Sequence, residues 1–105
     1  MVITITTFQL KTPATLAEIT KTFQSTAPKY KGMAGLLRKN YFLSEDGLRA
    51  GGVYLWKSRA DAERAYSPEW TKFVTEKYGT PPKVEYLHAP VEVDNVHGGT
   101  ISVAA

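Results

Sequence analysis

Residues 36–57 read Leu36-Leu37-Arg38-Lys39-Asn40-Tyr41-Phe42-Leu43, Ser44-Glu45-Asp46-Gly47-Leu48-Arg49-Ala50-Gly51, then Gly52-Val53-Tyr54-Leu55-Trp56-Lys57. Two runs rich in aromatic and branched side chains flank a segment containing Asp46-Gly47 and Gly51-Gly52. That pattern predicts a β-hairpin, with the glycines supplying the positive φ of a tight reversal. Side chains alternate across a strand, so each run sorts into two faces. Strict alternation groups Leu36, Arg38, Asn40 and Phe42 with Gly52, Tyr54 and Trp56. The opposite group is Leu37, Lys39, Tyr41 and Leu43 with Val53, Leu55 and Lys57, and it is the more apolar in its centre. The first group mixes rings with a guanidinium and an amide, a composition that suits a small-molecule site.

Upstream, residues 2–8 (Val-Ile-Thr-Ile-Thr-Thr-Phe) are β-branched almost throughout and predict a strand. Two helix starts then compete: Thr12-Pro13, with proline at the first helical position, and Thr15 with Glu18 as a capping box. Leu16, Ile19, Phe23 and Ala27 recur at helical spacing, and Pro28 is expected to stop the helix. Downstream, Ser58 reads as an N-cap with Asp61 in the first turn, opening a short helix through Ala62, Ala65 and Tyr66. Ser67-Pro68 restarts or kinks it, and Trp70, Phe73, Val74 and Tyr78 carry a second apolar stripe to Gly79. Residues 84–89 alternate as a strand ended by Pro90, and residues 91–93 form a short extra strand. The domain is expected to span residues 1–95. Residues 96–105 form a tail that is flexible unless a partner chain orders it.

The order β-α-β-β-α-β is that of the ferredoxin-like α+β fold, an antiparallel sheet with both helices on one face. The other face is left bare and partly apolar. Pairing two such faces across a two-fold axis covers both, so a homodimer is expected.

Composition narrows the function classes. Hydrophobic residues make up 43% of the 105 and charged residues 22%, the balance of a globular domain. The net charge of +3 is mild and its lysines are scattered, which argues against nucleic acid as a partner. No apolar run approaches the roughly 20 residues of a membrane span. There are no cysteines, which excludes disulfides, thiol nucleophiles, Fe–S clusters and cysteine-ligated zinc. His88 and His97 do not form a local metal motif, and no glycine loop precedes a helix to cradle phosphate. No metal or other cofactor is therefore expected. The start of the chain lacks a basic and then apolar leader, which points to the cytoplasm.

Four segments carry a resemblance: Gly35-Leu36-Leu37-Arg38-Lys39-Asn40-Tyr41, Ala50-Gly51-Gly52-Val53-Tyr54-Leu55-Trp56, Glu69-Trp70, and Pro82-Lys83-Val84-Glu85-Tyr86. Over roughly residues 1–95 the chain resembles the small YdhR-like candidate monooxygenases of the dimeric α+β barrel superfamily. The resemblance implies a ferredoxin-like homodimer without a cofactor. Its activity would be the monooxygenation of a small aromatic or enolic compound. The same superfamily includes isomerases, haem-degrading enzymes and non-catalytic stress proteins, so an isomerase or a small-molecule-binding dimer is the alternative.

Within that frame the residues take roles. Histidine is the side-chain type suited to proton transfer near neutral pH, so His88 is the expected base, with a tyrosine as substitute. Arg38 and Asn40 would stabilise a substrate oxyanion; alternatively, Arg38 forms an intersubunit ion pair with a carboxylate such as Glu85. Tyr54, Trp56, Tyr66 and Tyr86 would hold a flat ligand, whereas Trp70 and Phe73 belong to ordinary core.

Overall fold

The computed structural model describes residues 1–103. Four strands, β1 (Val2–Gln9), β2 (Leu36–Leu43), β3 (Arg49–Trp56) and β4 (Lys83–His88), form an antiparallel sheet in the order β2-β3-β1-β4. Helices α1 (Leu16–Tyr30), α2 (Arg59–Ala65) and α3 (Pro68–Tyr78) cover the face that carries Thr4, Phe8, Tyr54 and Trp56. This is the expected ferredoxin-like α+β fold, with the second helix split in two. None of its helices is long and apolar enough to cross a membrane.

The elements begin where local hydrogen bonding favours them. Of the two candidate starts for α1, Thr15 is the one used. Its Oγ1 accepts the Glu18 N–H at 3.2 Å, while Glu18 Oε1 accepts the Thr15 N–H at 3.3 Å. Ala14 is engaged elsewhere, donating its N–H to the Gly47 carbonyl at 2.9 Å. Pro28 does not stop α1, which runs on to Tyr30. Pro28 lies in the last turn, forgoes its own N–H bond, and its carbonyl still accepts from Lys31 at 3.3 Å. Ser58 and Ser67 cap α2 and α3, the latter with Pro68 in the first turn, and Gly79 ends α3 at φ 81°.

The central hairpin forms as expected, but its glycines divide the labour differently. Gly47 alone supplies a positive φ, 75°, in a turn held by Asp46 Oδ1, which accepts from Ser44 Oγ at 2.6 Å and from Leu48 N at 3.0 Å. Gly51 and Gly52 lie inside β3, paired with Thr7 and Thr6, and neither has positive φ. What they provide there is space. A Cβ on Gly51 would stand 1.8 Å from the Thr6 carbonyl oxygen, and one on Gly52 would stand 3.0 Å from Lys39 Cε.

The pairing of β2 with β3 also corrects the face assignment. Leu36 lies opposite Trp56, yet Arg38 lies opposite Leu55, so Leu37 is an extra residue in a bulge. From that point the phase of β2 is inverted. Lys39 and Tyr41 pair with Tyr54 and Gly52 on the helix side, while Arg38 and Asn40 pair with Leu55 and Val53 on the outer side.

Beyond β4, the strands β5 (Val91–Asp94) and β6 (Thr100–Val103) form a separate two-stranded antiparallel sheet, with Val91 opposite Val103. Most of the expected tail is thus the second half of a hairpin; residues 104 and 105 lie outside the described residues. Asp94 ties its turn, accepting from Val96 N at 2.9 Å and from His97 N at 3.0 Å.

Candidate functional site

The space between helices and sheet is rich in rings and hydroxyls, with Val2, Leu36, Val74 and Val84 as aliphatic members. Thr4, in the middle of β1, is wholly buried and acts as the polar node. Its Oγ1 accepts the Trp56 Nε1–H at 2.9 Å and shares a hydrogen with the Tyr66 hydroxyl at 2.5 Å. Tyr66 reaches Thr4 because it ends α2, at the break before α3. A second set joins the helices to β2: Trp70 Nε1–H donates to Tyr30 Oη at 3.0 Å, and Thr26 Oγ1 lies 2.8 Å from Tyr41 Oη. Among the described residues, no buried side-chain polar atom lacks a partner.

The rings form a connected series. Tyr54 stacks on Trp56 with centroids 5.8 Å apart, and Tyr66 meets Tyr54, Trp56 and Tyr86 edge-on at 5.6, 6.1 and 6.3 Å. Burial raises the phenol pKa of Tyr54, Tyr66 and Tyr86 above the ordinary range. These tyrosines stay protonated at neutral pH and offer hydrogen bonds. None is suited to the role of base.

One charged side chain enters this interior. Lys39 points its Nζ at the faces of Tyr30, Tyr41 and Tyr54, at 3.4, 3.9 and 4.5 Å from the ring centroids. The rings favour the ammonium. Burial opposes it, Lys29 adds like-charge repulsion, and together they bring the Lys39 amine down to about 7. No salt bridge to Lys39 exists among the described residues. Beside it lies a cavity of about 20 Å³, floored by the sheet at Thr6 and Tyr54 and walled by α1 and α3. That is room for about one water molecule. The cavity reaches the surface at Phe73, 44% exposed, over which Lys29 and Lys77 sit at 4.9 and 5.8 Å.

The residues singled out from sequence divide between three places. Tyr54, Trp56, Tyr66 and Tyr86 come together in the ring series. Arg38 and Asn40 are exposed on the opposite sheet face, in a groove of about 310 Å³ shared with Val53, Leu55, Val91 and Val93. His88 is exposed at the sheet's end, opposite Val2, where it lines a 70 Å³ recess with Arg59 and Tyr86. One chain therefore does not assemble His88 with Arg38 and Asn40. The Leu37 bulge is the reason for Arg38 and Asn40. Glu85, the carboxylate considered for Arg38, pairs instead with Lys83 at 2.9 Å. Sequence reading passes over Lys39 and Tyr30. The available signal is a lysine in the middle of the more apolar strand group, where a solvated charge does not belong. No cluster of three metal-ligating side chains occurs among the described residues.

No protein-family model matches the chain, and no curated protein matches it. Solved structures do share its fold. A monooxygenase encoded by ActVA-Orf6 of Streptomyces coelicolor, in complex with nanaomycin D, superposes with TM-score 0.64 at 18% identity, over 84% of this chain and 86% of that one. SnoaB of Streptomyces nogalater, a cofactor-independent oxygenase, gives 0.61 at 18%, over 84% and 91%. An antibiotic biosynthesis monooxygenase gives 0.63 at 15%, over 85% and 98%.

Proposed function

We propose that this chain is a cofactor-independent monooxygenase of the antibiotic-biosynthesis kind, acting on a small aromatic or enolic compound held between the helices and the sheet. The observation that carries this reading is the interior itself, a continuous series of rings with a lysine amine in its floor. The fold shared with two Streptomyces oxygenases supports it. Tyr54, Trp56 and Tyr66 hold the ligand's ring, with Tyr86 at the end of the series. One atom of O2 enters the substrate, a CH2 becoming C=O, and the other leaves as water. The cavity of about 20 Å³ admits a ring only when α1 and α3 part at Phe73.

An oxygen electrode tests the reading, with the metal-chelated protein and anthrone or a dihydroxynaphthalene as substrate. O2 uptake at least tenfold above the protein-free rate is expected, with one atom of 18O2 found in the product. Ring binding without O2 uptake would overturn it in favour of a sequestering protein. The narrow cavity favours that second reading.

We also propose that the functional unit is a homodimer. The outer sheet face leaves Val53 38% and Leu87 46% exposed, and the β5–β6 arm leaves Val91 58% and Val93 60% exposed beside it. Exposed apolar side chains gathered on one face mark a surface that another protein can cover. Light scattering is expected to give twice the chain mass at micromolar concentration. Leu87→Asp, which sets a charge in the contact, is expected to weaken association at least 100-fold. A monomer in the unmodified protein would overturn the proposal.

A further inference from the structure

We propose that Lys39 is an anion-binding group, and that the cavity takes an aromatic ligand carrying an acidic hydroxyl or carboxyl, held as its anion against the Lys39 ammonium. This rests on the reading that the ring-lined interior is a ligand site.

Charge supports it first. Three lysines line the cavity, Lys39 in the floor and Lys29 and Lys77 at the mouth, and no carboxylate lines it. A buried ammonium without a counter-ion is costly, and an anion delivered by a ligand removes that cost. Space supports it second. Gly52 leaves open the volume that the Lys39 stem occupies, since a Cβ there would meet Cε at 3.0 Å. The stem runs from the edge strand β2 across Gly52 of β3 and into the interior. Chemistry supports it third. Tyr30, Tyr41 and Tyr54 hold the amine from α1, β2 and β3; burial raises the hydroxyl pKa of Tyr41 and Tyr54, and that of Tyr78 of α3 is pushed up to about 12, so these three supply no negative charge at neutral pH.

The step is a proton transfer without oxidation. A ligand O–H bond breaks, an N–H bond forms on Lys39, and the pair that remains is phenolate and ammonium. A ligand that arrives as a carboxylate draws that proton from solvent instead. Binding then requires protonated Lys39, whose amine titrates at about 7 in the free protein. Affinity for a carboxylate is therefore fully present below that pH. It falls above it, by up to tenfold per unit, until the higher titration point of the bound state is passed.

The experiment compares 2-naphthoate with 2-naphthamide, the same ring with and without charge, by titration calorimetry at pH 6.5 and 8.5. The unmodified protein is expected to prefer the carboxylate at least tenfold at pH 6.5, and the preference to shrink at least fivefold at pH 8.5. Lys39→Met, close in length, is expected to bind the amide within twofold of the original and to lose the preference at both pH values. Lys29→Met/Lys77→Met is expected to keep the preference for the carboxylate and its fall with pH, displaced to higher pH because the repulsion from Lys29 is gone, which separates the floor lysine from the general positive field. Equal binding of the two probes by the unmodified protein, or a preference that survives in Lys39→Met, overturns the assignment of Lys39 and leaves the ring site standing. Failure of both probes to bind overturns the ring site and this inference with it. A melting temperature for Lys39→Met at or above that of the unmodified protein shows that the variant is folded.

Discussion

Gly51→Ala is expected to lower the melting temperature by roughly 12–24 °C, the counterpart of about 3 kcal/mol or more in a domain of this size. Gly51 sits in β3, which pairs with β1 in the centre of the sheet. The added methyl would lie 1.8 Å from the Thr6 carbonyl oxygen and 2.9 Å from Phe42 Cζ. The Phe42 ring can rotate aside. The carbonyl cannot, because it belongs to the backbone of β1, so relief requires the two central strands to separate. Gly52 provides a contrast: its nearest neighbours are the end of the Lys39 stem and the Tyr54 ring, both at 3.0 Å. A thermal melt followed by circular dichroism reads the difference. A Gly51→Ala protein that melts within about 3 °C of the original would mean that the strands are not held this closely.

Trp56→Ala is expected to cost about 3–5 kcal/mol, the range for removing a large buried ring. Trp56 has no exposed surface, stacks on Tyr54, meets Tyr66 edge-on and donates its N–H to Thr4. Its loss would hollow the ring series at the point where both layers meet. Trp56→Phe separates the two contributions, since it keeps most of the ring but not the donor. Thr4 then retains Tyr66, so the expected cost is only about 1–2 kcal/mol. Urea unfolding gives both values, provided the slope with denaturant is unchanged. A Trp56→Ala cost below about 1.5 kcal/mol would show that the interior collapses around the gap and that the rings are not a rigid series.

These two residues also show which features a sequence reveals. Helix caps are local events settled within four residues, so the Thr15–Glu18 box and the serines at 58 and 67 can be read without knowing the fold. The order of strands and helices follows from periodicity, which is local as well. Which strand face looks inward is a different matter. It depends on the register between β2 and β3, and one unpaired residue at Leu37 inverts it. Alternation alone therefore places Arg38 and Asn40 beside Tyr54 and Trp56, where the fold places Lys39 and Tyr41. His88 illustrates the converse. Its strand and pairing follow from pattern, but its distance from the ring series depends on where β4 ends.

The bulge at Leu37 bears finally on how relatives of this chain are to be aligned. Removing that residue would leave Leu36 and everything from Arg38 onward on the faces they now occupy, because it contributes to neither ladder. A gap at Lys39 would instead bring Asn40 opposite Tyr54 and put an amide where the lysine enters the cavity floor. Positions 37 and 38 are thus where one residue of length can drift between lineages without changing what the interior presents. An alignment that puts the gap at or beyond Lys39 would compare an inward-facing amine with a surface guanidinium and report a substitution that never occurred.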